Sequence, residues 1–188
     1  TMKTVISLFP GHGFWHKPLF VLTALLLFVQ CKKDTPEEIN EEEVINRVTI
    51  TLINSQNTPV VYTWNEGETI PTLSLTADEV YQASIAFFDA SDPAEVENIT
   101  EEVVEEADEH YVFFEVVSAN LTIVSAGNDT VDSEGVSINV STQWTAGAAS
   151  SGVIRTYLVH EPTTKSGSTR NDLGGSSDVE LDFPVEIQ

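Results

Sequence analysis

The chain has 188 residues and a mass of 20.6 kDa, with 8 Lys+Arg against 30 Asp+Glu, a net charge of −22 and a pI near 4.1. That sign of charge excludes a nucleic-acid binder, which must neutralise phosphates with clustered Lys and Arg. The length fits one domain rather than two large lobes, and a hydrophobic content of 41% supports a buried core, unlike an acidic disordered chain.

Residues 1–30 read as an export signal. Lys3 and Lys17 supply positive charge, Leu19 to Val29 form an almost continuous apolar run, and Cys31 follows at once. The run is about half the length of a membrane-crossing helix, which needs roughly twenty apolar residues. Cys31 is the only cysteine, so no intramolecular disulfide can form and the domain depends on packing alone. Its place directly after the apolar run resembles a lipoprotein signal, in which that cysteine carries the lipid and becomes the first residue. Gln30, before it, departs from the usual small residue; an incidental free cysteine is the alternative. Lys32, Lys33 and Asp34, followed by acids, resemble the short signal that sends lipoproteins of the Bacteroidota to the outer face of the outer membrane. The segment removed contains no acid, so the mature chain is more acidic still.

Residues 31–43 are polar and acidic, as suits a solvated tether, and a single domain is expected over residues 44–188. Period-two alternation, the mark of strands with one buried face, then recurs along the chain. It runs through Val48, Ile50 and Leu52, through Val136 to Trp144, and most clearly through Val179, Leu181, Phe183, Val185 and Ile187. Further strands are expected at Val60 to Trp64, Ile70 to Leu75, Val80 to Phe88, Tyr111 to Val117, Leu121 to Ser125 and Gly152 to His160. Nine short strands separated by Gly, Asn, Asp and Ser turns predict a mainly β fold, an antiparallel β-sandwich of immunoglobulin-like size. Pro184 removes a ladder donor, so the last strand is expected at an edge or with a bulge. One segment breaks the pattern. From Asp92 to His110, Val96, Ile99, Val103 and Ala107 recur at spacings of three and four, predicting one acidic amphipathic helix that starts near Asp92 or Asn98.

Pro36 to Ile45, Asn98 to His110, Trp144 to Ser150 and His160-Glu161-Pro162 resemble segments of small flavobacterial lipoproteins often labelled as type 1 periplasmic-binding-fold superfamily members. The resemblance covers most of the mature chain in order and departs around Trp64 to Thr72. It implies an exported protein, lipid-anchored in the outer membrane. A periplasmic-binding architecture has two α/β lobes with parallel strands, whereas the alternation read here predicts an almost all-β domain.

Two histidines lie beyond the signal, His110 and His160. Glu106 and His110 are four apart on the expected helix, and His160 ends a strand beside Glu161. If those ends meet, Glu106, His110, His160 and Glu161 form an N/O site for Zn²⁺ or another divalent ion. On the other reading His110 caps the helix end by dipole attraction and His160 is a surface imidazole. Asp129, Asp132 and Glu134 share a loop and offer oxygens to Ca²⁺, or simply form a solvated hairpin tip. Thr130, in Asp129-Thr130-Val131, resembles a short O-glycosylation motif. Trp64, Trp144 and Tyr157 either line a ligand surface or belong to the core.

The motifs of common enzyme classes are missing: no Gly-x-Ser-x-Gly elbow, no phosphate-cradling glycine loop and no paired-histidine zinc helix. The expectation is a non-catalytic lipoprotein that binds a cation or small ligand beside an outer-membrane transporter. The alternative is a structural module whose acidic face docks on a basic partner.

Overall fold

A computed structural model describes residues 43–188; Cys31, the signal and residues 31–42 of the expected tether lie outside the described residues. In chain order the elements are β1 (Arg47–Ile53), β2 (Pro59–Asn65), β3 (Leu73–Leu75), β4 (Val80–Phe88), α1 (Ile99–Glu105), β5 (His110–Val117), β6 (Leu121–Ser125), β7 (Ser141–Ala146), β8 (Ser150–His160), α2 (Arg170–Leu173) and β9 (Ser176–Ile187). The strands form a five-stranded sheet, β2-β1-β4-β7-β6, and a four-stranded sheet, β3-β9-β8-β5. The fold is mainly β and sandwich-like. Every strand pair is antiparallel except β3 with β9.

The alternation has its expected cause. Val48, Ile50 and Leu52 of β1 and Val179, Leu181, Phe183, Val185 and Ile187 of β9 are all buried in one core between the sheets. Each such side chain contributes about 1.5–3 kcal/mol relative to exposure. Trp144, Phe87 and Phe183 are the largest fully buried side chains of that core. The other face of the smaller sheet carries a second cluster, in which Leu173 of α2 covers Phe113, Tyr157 and Val159.

Two expectations are corrected and a third is met. The helix is only two turns long, because Asp92 to Glu97 form turns closed by an Asp89–Glu97 bridge, and the chain becomes helical at Asn98. Ile99, Val103 and Ala107 are buried as their spacing requires, but Val96 is exposed. The stretch Val136 to Trp144 is not one strand. Asn139 has a positive φ of 66°, and the chain there crosses between sheets, with the Val112 amide donating to the Ile138 carbonyl and the Ile85 amide to that of Val140. Ile138, Val140, Thr142 and Trp144 are nonetheless buried and only Val136 is exposed, so the alternation reported burial at all but its first position and hydrogen bonding wrongly. The strand of Pro184 carries a bulge, as expected, where Leu158 and Val159 of β8 face Val179 and Ser177, and is otherwise paired along its length with β8. On its other side β3 pairs only with Val185 to Ile187, so the ladder there needs no donor from the proline.

Candidate cation centre

His110 opens β5 and stands directly opposite His160, the last residue of β8. Both follow the alternation that turns Val112 and Leu158 into the core, so the two imidazoles face inward at one end of the sandwich. Opposed residues of an antiparallel pair bring their side chains within about 5 Å of each other. The rings stack with centroids 5.0 Å apart and planes 8° from parallel. Neither is at the surface: His110 is 0% exposed and His160 is 7%. The surface-imidazole reading of His160 is therefore overturned.

Carboxylates surround the pair. Glu43 Oε1 lies 3.2 Å from His110 Nε2, and the Glu43 side chain is 4% exposed. Asp178 Oδ1 is 3.9 Å from His160 Nδ1, and Glu109 Oε2 is 4.0 Å from His160 Nε2. Asp178 reaches the site through a bulge. Leu158 pairs with Val179 and Val159 with Ser177, which leaves Asp178 as the extra residue of β9. A bulge re-aims the side chain it carries. Without it, Asp178 would share the solvent face with Glu180 and Asp182; with it, its side chain is 3% exposed. The Arg170 guanidinium holds the chain before this bulge by donating to the carbonyls of Gly174, Gly175 and Ser176 and to Ser177 Oγ.

The protons of His110 can be placed. Its Nδ1 is 3.3 Å from the Glu106 carbonyl oxygen, which only accepts, so Nδ1 carries the hydrogen. In neutral His110 the Nε2 lone pair then points toward Glu43. At that contact Nε2 and Glu43 Oε2 are both buried without a hydrogen-bond partner, although the ion-pair distance to Oε1 is short. A lone pair facing a buried carboxylate needs a positive charge between them, supplied by a proton or a metal ion. Burial raises the Glu106 carboxyl above its ordinary value; Glu109, Glu102 and Glu43 add to the rise while His110 opposes it.

Three donor groups occur among the described residues, each with ligand atoms within 4.8 Å of one another: Glu43/His110/Asp178, Glu109/His160/Glu161 and Glu43/Glu102/Glu106. Of the four residues expected from sequence, His110 and His160 are brought together and Glu161 joins His160. The Glu106 carboxylate falls in a different donor group. The helix ends at Glu105, so Glu106 and His110 do not share a helical face, and its carboxylate groups with Glu43 and Glu102. Glu43, Glu109 and Asp178 join the site without being expected from sequence. Only Glu109, beside His110, carries a sequence signal; Glu43 reads as tether, and nothing in a single sequence announces the bulge at Asp178.

The Asp129, Asp132 and Glu134 carboxylates do not form a donor group among the described residues. Asp129 accepts from the Asn139 and Ser141 amides at 2.6 and 2.8 Å, pinning the crossing between sheets. Asp132 pairs with Lys165 at 2.8 Å and accepts from the Glu134 and Val136 amides, while Glu134 is exposed. Thr130 is half-buried, its carbonyl taken by the Ile138 amide. Trp144 is core, Trp64 packs half-buried at its margin and Tyr157 lies in the second cluster, so the three aromatics line no common surface.

Lys165 also donates to the Ala107 carbonyl, tying the loop after β8 to the chain between α1 and His110. Asp132 is held below the usual carboxylate range by the Lys165 ammonium and the Val136 amide. A depressed folded value means the carboxylate stabilises the fold fully above the ordinary value near 4, and that share is lost as the pH falls through the lower, folded one. The Asp132→Asn variant is therefore expected to melt below wild type at about pH 6, with the gap narrowing only once the pH falls below the ordinary carboxylate value near 4. Melting curves across that range that keep a constant gap would contradict the assignment.

No family model, curated protein or solved structure matches the chain.

Proposed function

We propose that this is a non-catalytic, exported lipoprotein, anchored in the outer membrane through Cys31, whose folded domain captures a divalent cation at the histidine end of the sandwich. Delivery to a neighbouring outer-membrane transporter suits such a role. The observation that carries the reading is the His110 Nε2 lone pair set against the buried Glu43 carboxylate, within a shell of further acids. Imidazole with carboxylate donors suits zinc and other borderline ions better than calcium or magnesium. The net charge of −22 concentrates cations near the surface but does not choose among them.

Thermal unfolding of the full chain, in chelator and then in Zn²⁺, Ca²⁺ or Mg²⁺ at matched ionic strength, tests the reading. Zn²⁺ at 100 times its dissociation constant should add about 2.7 kcal/mol. The gain should disappear in His110→Ala. Equal responses to all three ions would mean screening of an acidic face, as expected of a module that docks on a basic partner.

A further inference from the structure

We infer that the captured ion is a zinc-class metal bound by Glu43, His110 Nε2 and Asp178, with His160 positioning Asp178 rather than ligating. This rests on the cation-binding reading and names its ligands.

Three properties separate this group from its two neighbours. The first is burial: the side chains of Glu43, His110 and Asp178 are 4%, 0% and 3% exposed, whereas Glu109 beside His160 is 51% exposed. Water competes for an ion held by exposed carboxylates. The second is charge. Two carboxylates and a neutral imidazole cancel a divalent ion, so the filled site is neutral where a net charge would be costly to bury. Glu43/Glu102/Glu106, all carboxylate, would leave a negative remainder and suit a hard ion. The third is spacing. Two ligands of a tetrahedral zinc at about 2.1 Å stand roughly 3.4 Å apart. Glu43 Oε1 and His110 Nε2 are already 3.2 Å apart.

The supporting contacts fit metal-site logic. A ligating histidine donates a hydrogen bond from its other ring N–H to an acceptor that fixes its tautomer, and the Glu106 carbonyl is that acceptor for His110 Nδ1–H. His160 stacks on His110 and turns Nδ1 toward Asp178 and Nε2 toward Glu109, bracing the ligand set. Three protein ligands leave a fourth position for water, a second oxygen of Glu43, or a group from a partner.

Competition titration of the full chain with Zn²⁺, together with X-ray absorption at the zinc edge, tests the assignment. One equivalent should bind with one imidazole in the coordination shell. Glu43→Gln and Asp178→Asn should each weaken binding by more than about 100-fold, and His160→Gln by about 10- to 100-fold with the imidazole count unchanged. Glu161→Gln should change it by less than about threefold, as its carboxylate belongs to the outer group. Wild-type binding that persists undiminished in Glu43→Gln and Asp178→Asn overturns the ligand set but leaves cation capture standing. Two imidazoles in the wild-type spectrum, which needs no variant to fold, would make His160 a ligand and also overturn it. No binding by wild type would defeat cation capture itself.

Discussion

Replacement of Trp144 by alanine should lower the unfolding free energy by about 3–5 kcal/mol, on the order of 10 °C in melting temperature for a domain of this size. Trp144 is 0% exposed and sits on β7, with Tyr81 of β4 on one side and Ile123 of β6 on the other. It also crosses the sandwich, meeting Phe114 of β5 edge-on at 5.9 Å and 75°. Truncation therefore opens a cavity against both sheets, and neither can close it without moving the other. The indole nitrogen donates to Thr142 Oγ1 at 2.8 Å, so the same change strands a hydroxyl that is itself buried. Trp64 supplies the contrast. It lies on the edge strand β2, half-buried, with its indole nitrogen bonded to the Glu68 carbonyl near solvent, and its loss should cost about 1–2 kcal/mol. Urea unfolding of the two variants would settle the point; equal losses would mean that Trp144 does not bridge the sheets.

Burial was legible in the sequence because each sheet has one face on the core, and a period of two records that directly. The five apolar positions from Val179 to Ile187 are all core, and the limits of β4 and β6 fall at the expected residues. What the pattern cannot record is where a strand changes partner. Val136 to Trp144 alternates without interruption, yet Asn139 turns the chain between sheets, and Asp129, ten residues earlier, holds it there. The helix shows the same limit. Spacing identified Ile99 and Val103 as its buried face, but Val96 before it is exposed, and the acidic residues do not mark where the last turn ends: the helix stops before Glu106, and Ala107 is buried from the turn that follows.

The candidate site was half legible for a related reason. His110 and His160 could be paired because they are the only two histidines beyond the signal and each ends a predicted element. Their ring stacking follows from strand register, which pairs residues fifty apart and leaves no trace in composition. Asp178 belongs by alternation with Glu180 and Asp182 on the charged face, and only the offset between Leu158 and Val159 moves it inward. Glu43 looked like one more acid in a run of three, and its side chain becomes distinctive only against a buried imidazole.

The second large effect is expected at Gly175. Its φ is +63°, in the left-handed region, and a Cβ there would run into the carbonyl oxygens of His160 and Glu161. Both obstacles are backbone, so no side chain can swing aside. The left-handed conformation alone costs an L-residue about 1–2 kcal/mol, and the collision should bring the Gly175→Ala loss to roughly 3–4 kcal/mol. Gly67 isolates the two contributions, since its φ is +81° but nothing lies within 4 Å of an added Cβ. Gly67→Ala should therefore show the conformational cost alone, about 1 kcal/mol. The position also matters for the site. Gly175 lies three residues before Asp178, and its neighbour Ser176 pairs with His160. To admit a methyl group, the end of β8 and the start of β9 must separate, carrying His160 and Asp178 apart. Gly175→Ala should thus lose the zinc-dependent part of its stability as well, whereas Gly67→Ala keeps it in full. Urea unfolding with and without Zn²⁺ reads both effects: a Gly175→Ala protein that retains the whole zinc increment would show that the β8–β9 junction does not set the ligand geometry.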